Sequence, residues 1–302
     1  MMVQEPIIAL ERVSKSFGLG GKAVRAAHDI TFALHPGRTV ALVGESGSGK
    51  TTCARLVMRE YQPDGGKILF RGKDLNEKGA VSLKEYRRAI QMIFQDPFAS
   101  LNPAHTVDFI LRRPLALGQP HLKGRAVDET IASLLRRVEL DPDAVTHKHP
   151  HELSGGQRQR INIARTLAMG AQVIVADEPT SMLDVSVRLG VLNLLNEMKR
   201  DLGVALLYIT HDLATARYVA EDILVMYAGQ IVEWGDVHRV LSNPQHPYTR
   251  LLLSAVPNPE IRFDNPGARL DPREVDAIRR GAQHLQDRVI EVGPDHFTRQ
   301  AA

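Results

Sequence analysis

Apolar and polar residues alternate along residues 7–17 and 28–34, the two-residue period of half-buried β-strands. The turn His35-Pro36-Gly37 separates them from a short unbroken apolar run, RTVALV at residues 38–43, which fits a strand buried on both faces. A glycine-rich stretch follows. A helical pattern then runs from about Lys50 to Glu60 and stops at the turn cluster Gln62-Pro63-Asp64-Gly65-Gly66. Residues 67–70 read as a further strand, and to this point the chain is β-rich.

The character changes near residue 97. Residues 107–117 and 124–138 carry helical patterns joined by proline-rich segments, which predicts a helical subdomain inserted at about 97–170. From Ser154 the chain reads as helix, strand (173–176), helix (185–202), strand (204–210) and helix (213–220). This alternation predicts an α/β fold with a mostly parallel core sheet covered on both faces. Strands at 223–227 and 230–234 straddle Ala228-Gly229 as a hairpin would. The main domain is expected to span residues 5–257, with the polar residues 258–302 as a C-terminal extension that reads as a tail.

Composition adds bounds. Apolar residues make up 43% of 302 and charged residues 24%, an ordinary balance for a globular protein. The formal charge of +3 is spread along the chain, so a solvated mixed surface explains it better than a nucleic-acid patch. The single cysteine, Cys53, allows no internal disulfide and no cysteine-built metal or iron–sulfur site, and it reads as a small packing residue. No signal-peptide pattern and no run of about 18 apolar residues is visible. A role at a membrane would therefore be that of a bound cytoplasmic subunit.

The chemistry lies in the loops. Gly44-Glu45-Ser46-Gly47-Ser48-Gly49-Lys50-Thr51 fits G-x-x-x-x-G-K-[ST] and sits between a predicted strand and a predicted helix, with Thr52 next. Glycines let such a loop turn its N–H groups onto a phosphate, and the helix N-terminus adds positive potential. Lys50 would carry a charge to the β and γ phosphates and Thr51 a hydroxyl to Mg²⁺. The strand at 173–176 ends in Asp177-Glu178-Pro179. Two acids at the end of a buried strand make sense where that end faces a ligand, Asp177 toward Mg²⁺ and Glu178 toward the attacking water. Ser154-Gly155-Gly156-Gln157, after Leu153, is a second glycine-rich helix start with a hydroxyl at the cap.

These motifs, in this order, resemble the ATP-binding cassette (ABC) family of P-loop NTPases over about residues 5–257. Phe17, Gln95 in Ile93-Phe94-Gln95-Asp96-Pro97, Ser181-Met182-Leu183-Asp184 and His211 in Ile209-Thr210-His211-Asp212 complete the set. Met182 departs from the small residue expected there. The resemblance implies a nucleotide-binding domain with a β-rich N-terminal subdomain. It implies that Phe17 stacks on adenine, Gln95 touches Mg²⁺, His211 meets the γ-phosphate and Asp184 communicates across a dimer. It also implies that Ser154 to Gln157 serve ATP held by a second ATPase subunit.

Residues 95–103 (QDPFASLNP) and 243–252 (NPQHPYTRLL) narrow the resemblance to the oligopeptide/dipeptide importer branch. That branch implies two transmembrane permease subunits, an extracytoplasmic substrate-binding protein and a peripheral place on the cytoplasmic face of the plasma (inner) membrane. Oligosaccharide import is the alternative cargo. An exporter cassette and a nucleic-acid-associated ATPase are the competing roles. Against them stand the importer-like segments, the lack of a fused membrane span, and the absence of heptads, a cysteine cluster or a second phosphate loop.

Overall fold

A computed structural model describes residues 5–18, 23–77, 79, 81–255 and 272–300. Five strands form the centre of the larger sheet: β3 (Thr39–Val43), β6 (Ile90–Ile93), β7 (Val173–Asp177), β8 (Ala205–Thr210) and β9 (Asp222–Tyr227). They run parallel in the order β9-β3-β8-β7-β6. Every residue of β3 and β8 is buried. Alternate side chains enter opposite cores, as a two-residue period requires. Val40 and Leu42 join one core, and Ala41 and Val43 join the other.

A four-stranded antiparallel sheet covers one face, in the order β2 (Val24–Leu34), β1 (Ile8–Phe17), β4 (Gly65–Phe70), β5 (Lys73–Asp74). Its apolar face shares a core with α1 (Lys50–Val57). The other face carries α7 (Val185–Leu202), α8 (Leu213–Val219) and a helical unit of α3 (Val107–Gly118), α4 (Arg125–Arg137), the short α5 (Pro142–Val145) and α6 (Gly155–Ala168). Arg112 bonds Asp108 of α3 at 2.6 Å and Asp128 of α4 at 2.7 Å, fastening two of these helices.

Several elements differ from the sequence reading. β2 starts at Val24 rather than near His28, because register shifts along β1 extend the ladder through residues with no clear alternation. α1 ends at Val57, where Met58 closes the helix and Arg59 turns to φ +56°. The short helices α2 (Leu83–Ala89), α9 (Val237–Ser242) and α10 (Pro247–Ser254) escape the hydrophobic pattern, although caps at Ser82, Asp236 and His246 start them.

The largest difference is C-terminal. Residues 256–271 lie outside the described residues, but 272–300 are not a mere tail. They form α11 (Pro272–Gln283) and the hairpin β11 (Arg288–Gly293) and β12 (His296–Gln300). β12 pairs antiparallel with β10 (Gln230–Asp236), so the large sheet has eight strands. Hydropathy did not reveal this, because polar contacts are a large part of what holds the region, beside Val275, Ile278 and the Trp234–Phe297 pair. The fully buried Glu233 carboxylate accepts from His296 Nε2 at 2.7 Å, and from the N–H groups of Gln245 at 2.7 Å and His246 at 3.0 Å.

Candidate nucleotide site

Parallel register brings the chemistry together. Val43 pairs with Thr210 and Asp177 with Ile209, so Gly44, Glu178 and His211 leave the sheet side by side at its C-terminal edge. The phosphate loop needs its glycines for space. A Cβ on Gly44 would lie 2.2 Å from the Met226 carbonyl oxygen, and one on Gly49 2.2 Å from that of Ala26. Gly49 also takes φ +110°. No side chain caps α1 behind this loop, so the first-turn N–H groups are left for an anion.

Lys50 is buried and curls over its own loop, donating from Nζ to the carbonyls of Gly44 at 2.7 Å and Glu45 at 2.8 Å. Burial holds its pKa below the ordinary lysine value, against the opposing charges of Glu178, Asp177 and Glu45. Cys53, next on α1, is fully buried and its thiol is pushed up to about 12, so it packs and does not react.

Glu178 stands at φ +44° with its N–H fixed on the Ile209 carbonyl. Its Oε1 lies 2.9 Å from His211 Nδ1, and its Oε2 accepts from Gln95 Nε2 at 2.9 Å. Side chains from two other loops thus converge on one carboxylate. Beside it, burial and the Glu178 charge raise the Asp177 pKa, while Lys50 and Arg55 pull it down. Ser46, Gly47, Gly49, Lys50, Thr51 and Thr52 line a cavity of about 620 Å³ with Gln95, Asp177, Glu178 and His211. That volume is within the range of small-ligand pockets. One wall is cationic and rich in N–H donors, the other carries oxygens, which fits a polyphosphate with a hard cation between. Thr51, Asp177 and Gln95 line this cavity with side chains that carry oxygen atoms.

Other expected residues lie apart. Ser154 Oγ accepts from the Gln157 N–H at 3.2 Å, and the Gln157 side chain accepts from the Ser154 N–H at 3.0 Å, a reciprocal cap on α6. Gly155 packs near Phe98 and Leu183, and a Cβ on Gly156 would meet Val187 at 2.4 Å. None of these four residues lines the cavity. Asp184 starts α7 through its carbonyl, beside the exposed Met182 and Val185. Phe17 is half-exposed, edge-on to Tyr61 at 5.1 Å, and does not line the cavity, whereas its strand partner Val24 does, with Arg25 and Ala26. Two residues to which the sequence reading gave no role at the site touch the loop: Glu45 donates its N–H to the Tyr248 hydroxyl at 3.0 Å, and its carboxylate meets Arg279 at 3.0 Å.

An apolar groove of about 560 Å³ opens next to Gln95, between β6 and the helical unit, lined by Met92, Phe94, Phe109, Leu117 and Met169. Phe94, Phe109 and Leu117 are exposed in it.

Comparison with known proteins gives this geometry its family. The ABC transporter model matches residues 27–181, and a model described as "Oligopeptide/dipeptide transporter, C-terminal region" matches residues 232–282. The chain belongs to the ABC transporter family. The glutathione import ATP-binding protein GsiA of Salmonella typhimurium (strain LT2) is 43% identical over 305 residues, covering 97% of this chain and 48% of GsiA. The oligopeptide transport ATP-binding protein OppF of Haemophilus influenzae is 42% identical over 243 residues, covering 80% of this chain and 73% of OppF. The cassette thus spans about half the length of the GsiA relatives it matches.

Among solved structures, the dimeric ATP-binding cassette MJ0796 in a post-hydrolysis state bound to ADP and Pi aligns at a TM-score of 0.67 and 28% identity, over 76% of this chain and 98% of that one. CbiO1 of Clostridium perfringens, part of the transporter complex cbiONQ, aligns at 0.70 and 25%, over 80% and 92%. The fold is that of an ABC cassette with two sheets and an inserted helical unit. No helix among the described residues is long and apolar enough to cross a membrane.

Proposed function

We propose that this cassette binds and hydrolyses ATP to power an importer of oligopeptides or dipeptides. The observation that carries the reading is the meeting of Gln95, Glu178 and His211 beside the phosphate loop. The loop and the α1 N-terminus bind the phosphates of ATP. Lys50 exchanges the carbonyls of Gly44 and Glu45 for phosphate oxygens. Thr51, Asp177 and Gln95 would hold Mg²⁺, which would supply charge neutralisation to the bound phosphates. Glu178 orients the attacking water and accepts its proton, and His211 holds the γ-phosphate end. Phe17 offers its exposed ring to adenine. Catalysis is by positioning and electrostatics, with no covalent intermediate.

Ser154, Gly155, Gly156 and Gln157 stand outside the cavity of their own chain, which supports their serving ATP on a second ATPase subunit, identical or related, with Asp184 at the contact. Two transmembrane permease subunits and an extracytoplasmic substrate-binding protein complete the assembly. The cassette then sits peripherally on the cytoplasmic face of the plasma (inner) membrane, with the groove at Phe94 and Phe109 as the permease dock. The names of GsiA and OppF favour peptide cargo over oligosaccharide. Glu178→Gln tests the reading. It should bind ATP at near wild-type affinity, hydrolyse it at least about 100-fold more slowly and accumulate as an ATP-bound dimer. Wild-type turnover in this variant would falsify the role of Glu178.

A further inference from the structure

We infer that Tyr248 and Arg279, from the C-terminal region, are positioning residues that set ATP affinity by fixing the phosphate loop. The inference rests on the reading of residues 44–51 as the phosphate cradle. It concerns Glu45, the second residue of that loop, which is held from three directions. Its N–H donates to the Tyr248 hydroxyl at 3.0 Å, its carboxylate meets Arg279 Nη2 at 3.0 Å, and its carbonyl accepts from Lys50 Nζ at 2.8 Å. The first contact turns one loop N–H away from the cavity. That choice sets the peptide plane from which the following N–H groups are aimed.

Tyr248 is built for this task. It is fully buried on α10, its ring lies 4.1 Å from that of Tyr227, and burial drives its hydroxyl pKa up. The hydroxyl therefore stays protonated and available as a fixed partner. Its own placement comes from the polar cluster beneath. The Tyr248 N–H caps on His246 Nδ1 at 3.1 Å, and His246 bonds Gln286 at 3.0 Å at the start of the C-terminal hairpin. A chain of hydrogen bonds thus runs from the C-terminal region to the loop.

The two contacts differ in weight. The Tyr248 hydroxyl is a buried partner, and its loss leaves a backbone N–H unpaired. The Arg279–Glu45 pair is solvent-exposed on both sides, with relative exposures of 45% and 36%, so it is weak and salt-sensitive.

Tyr248→Phe keeps the ring and removes the hydroxyl. Binding of a fluorescent ATP analogue with Mg²⁺ should weaken about three- to tenfold, while turnover at saturating ATP changes less than about twofold. In the nucleotide-free protein, amide hydrogen exchange should rise in residues 44–52 and stay unchanged in β7. Arg279→Ala should weaken binding about twofold at low salt, with the effect vanishing at high salt. Arg279→Lys should restore it, and Arg280→Ala, on the neighbouring exposed position, should do nothing. Wild-type affinity and wild-type exchange of the loop in Tyr248→Phe would overturn the inference. So would equal weakening by Arg280→Ala for the Arg279 contact. Failure of the wild-type chain itself to bind ATP would instead sink the cradle reading.

Discussion

Asp177 shows how a single residue can be set against the fold. Its carboxylate is half-buried beside Glu178, and burial together with that neighbouring charge raises its pKa. An acid whose folded pKa is raised stabilises the fold below its unfolded pKa and loses that contribution as pH climbs through the folded value. At neutral pH the ionised Asp177 therefore strains the nucleotide-free protein. Asp177→Asn should raise the melting temperature of the nucleotide-free chain by about 2–4 °C and abolish the further rise given by ATP with Mg²⁺. Calorimetry with and without nucleotide checks both halves. A lower melting temperature in the nucleotide-free variant would refute the assignment. The acids at 177 and 178 were legible in the sequence because a buried strand seldom ends in two carboxylates. The contacts of Glu178 with Gln95 and His211 were not, since those partners stand 83 and 33 positions away in the chain.

Among the elements, α10 illustrates how much a cap can carry. His246 accepts the Tyr248 N–H on Nδ1, so its proton sits on Nε2, toward Gln286. Protonation would place a second donor against that N–H. Burial accordingly lowers the His246 pKa from the ordinary 6.5, with Gln286 and Glu233 pulling the other way. A histidine with a depressed folded pKa stabilises the fold above its unfolded pKa, and that contribution is lost as pH falls through the folded value. Melting temperature should therefore fall as pH drops below 6.5, and less steeply in His246→Asn, whose side chain still caps the helix. Parallel pH curves for the two proteins would remove His246 from the account. The motif around Pro247 marked the branch in the sequence. Its work as a helix start was hidden, because the histidine cap has no hydropathy signature.

For the whole molecule, the predicted motifs do not all meet in one cavity. The phosphate loop, carboxylates and His211 converge, whereas Ser154 to Gln157 lie outside that cavity, which is why a second cassette is proposed to complete the site. The groove proposed as the permease dock is lined by the strand that leads directly into the Gln95 loop. Phe109→Asp combined with Leu117→Glu should remove the permease from cassette preparations made out of detergent-solubilised membranes. ATP affinity of the purified cassette should change by less than about twofold, because neither side chain lines the nucleotide cavity. Undiminished permease in those preparations would relocate the dock.

The amino-acid order alone determined the alternating strands and helices, the phosphate loop in its strand–helix setting and the acids at the end of β7. Each of these is a local pattern, and local patterns survive without coordinates. The tertiary structure decided the rest. Parallel register set Gly44, Glu178 and His211 side by side, and strand pairing with buried polar contacts placed the hairpin of residues 288–300 on the sheet. The same packing brought Tyr248 and Arg279 onto Glu45 across 203 and 234 residues of chain. Contacts of that kind join residues with no shared period or spacing, so only the folded chain could bring them into view.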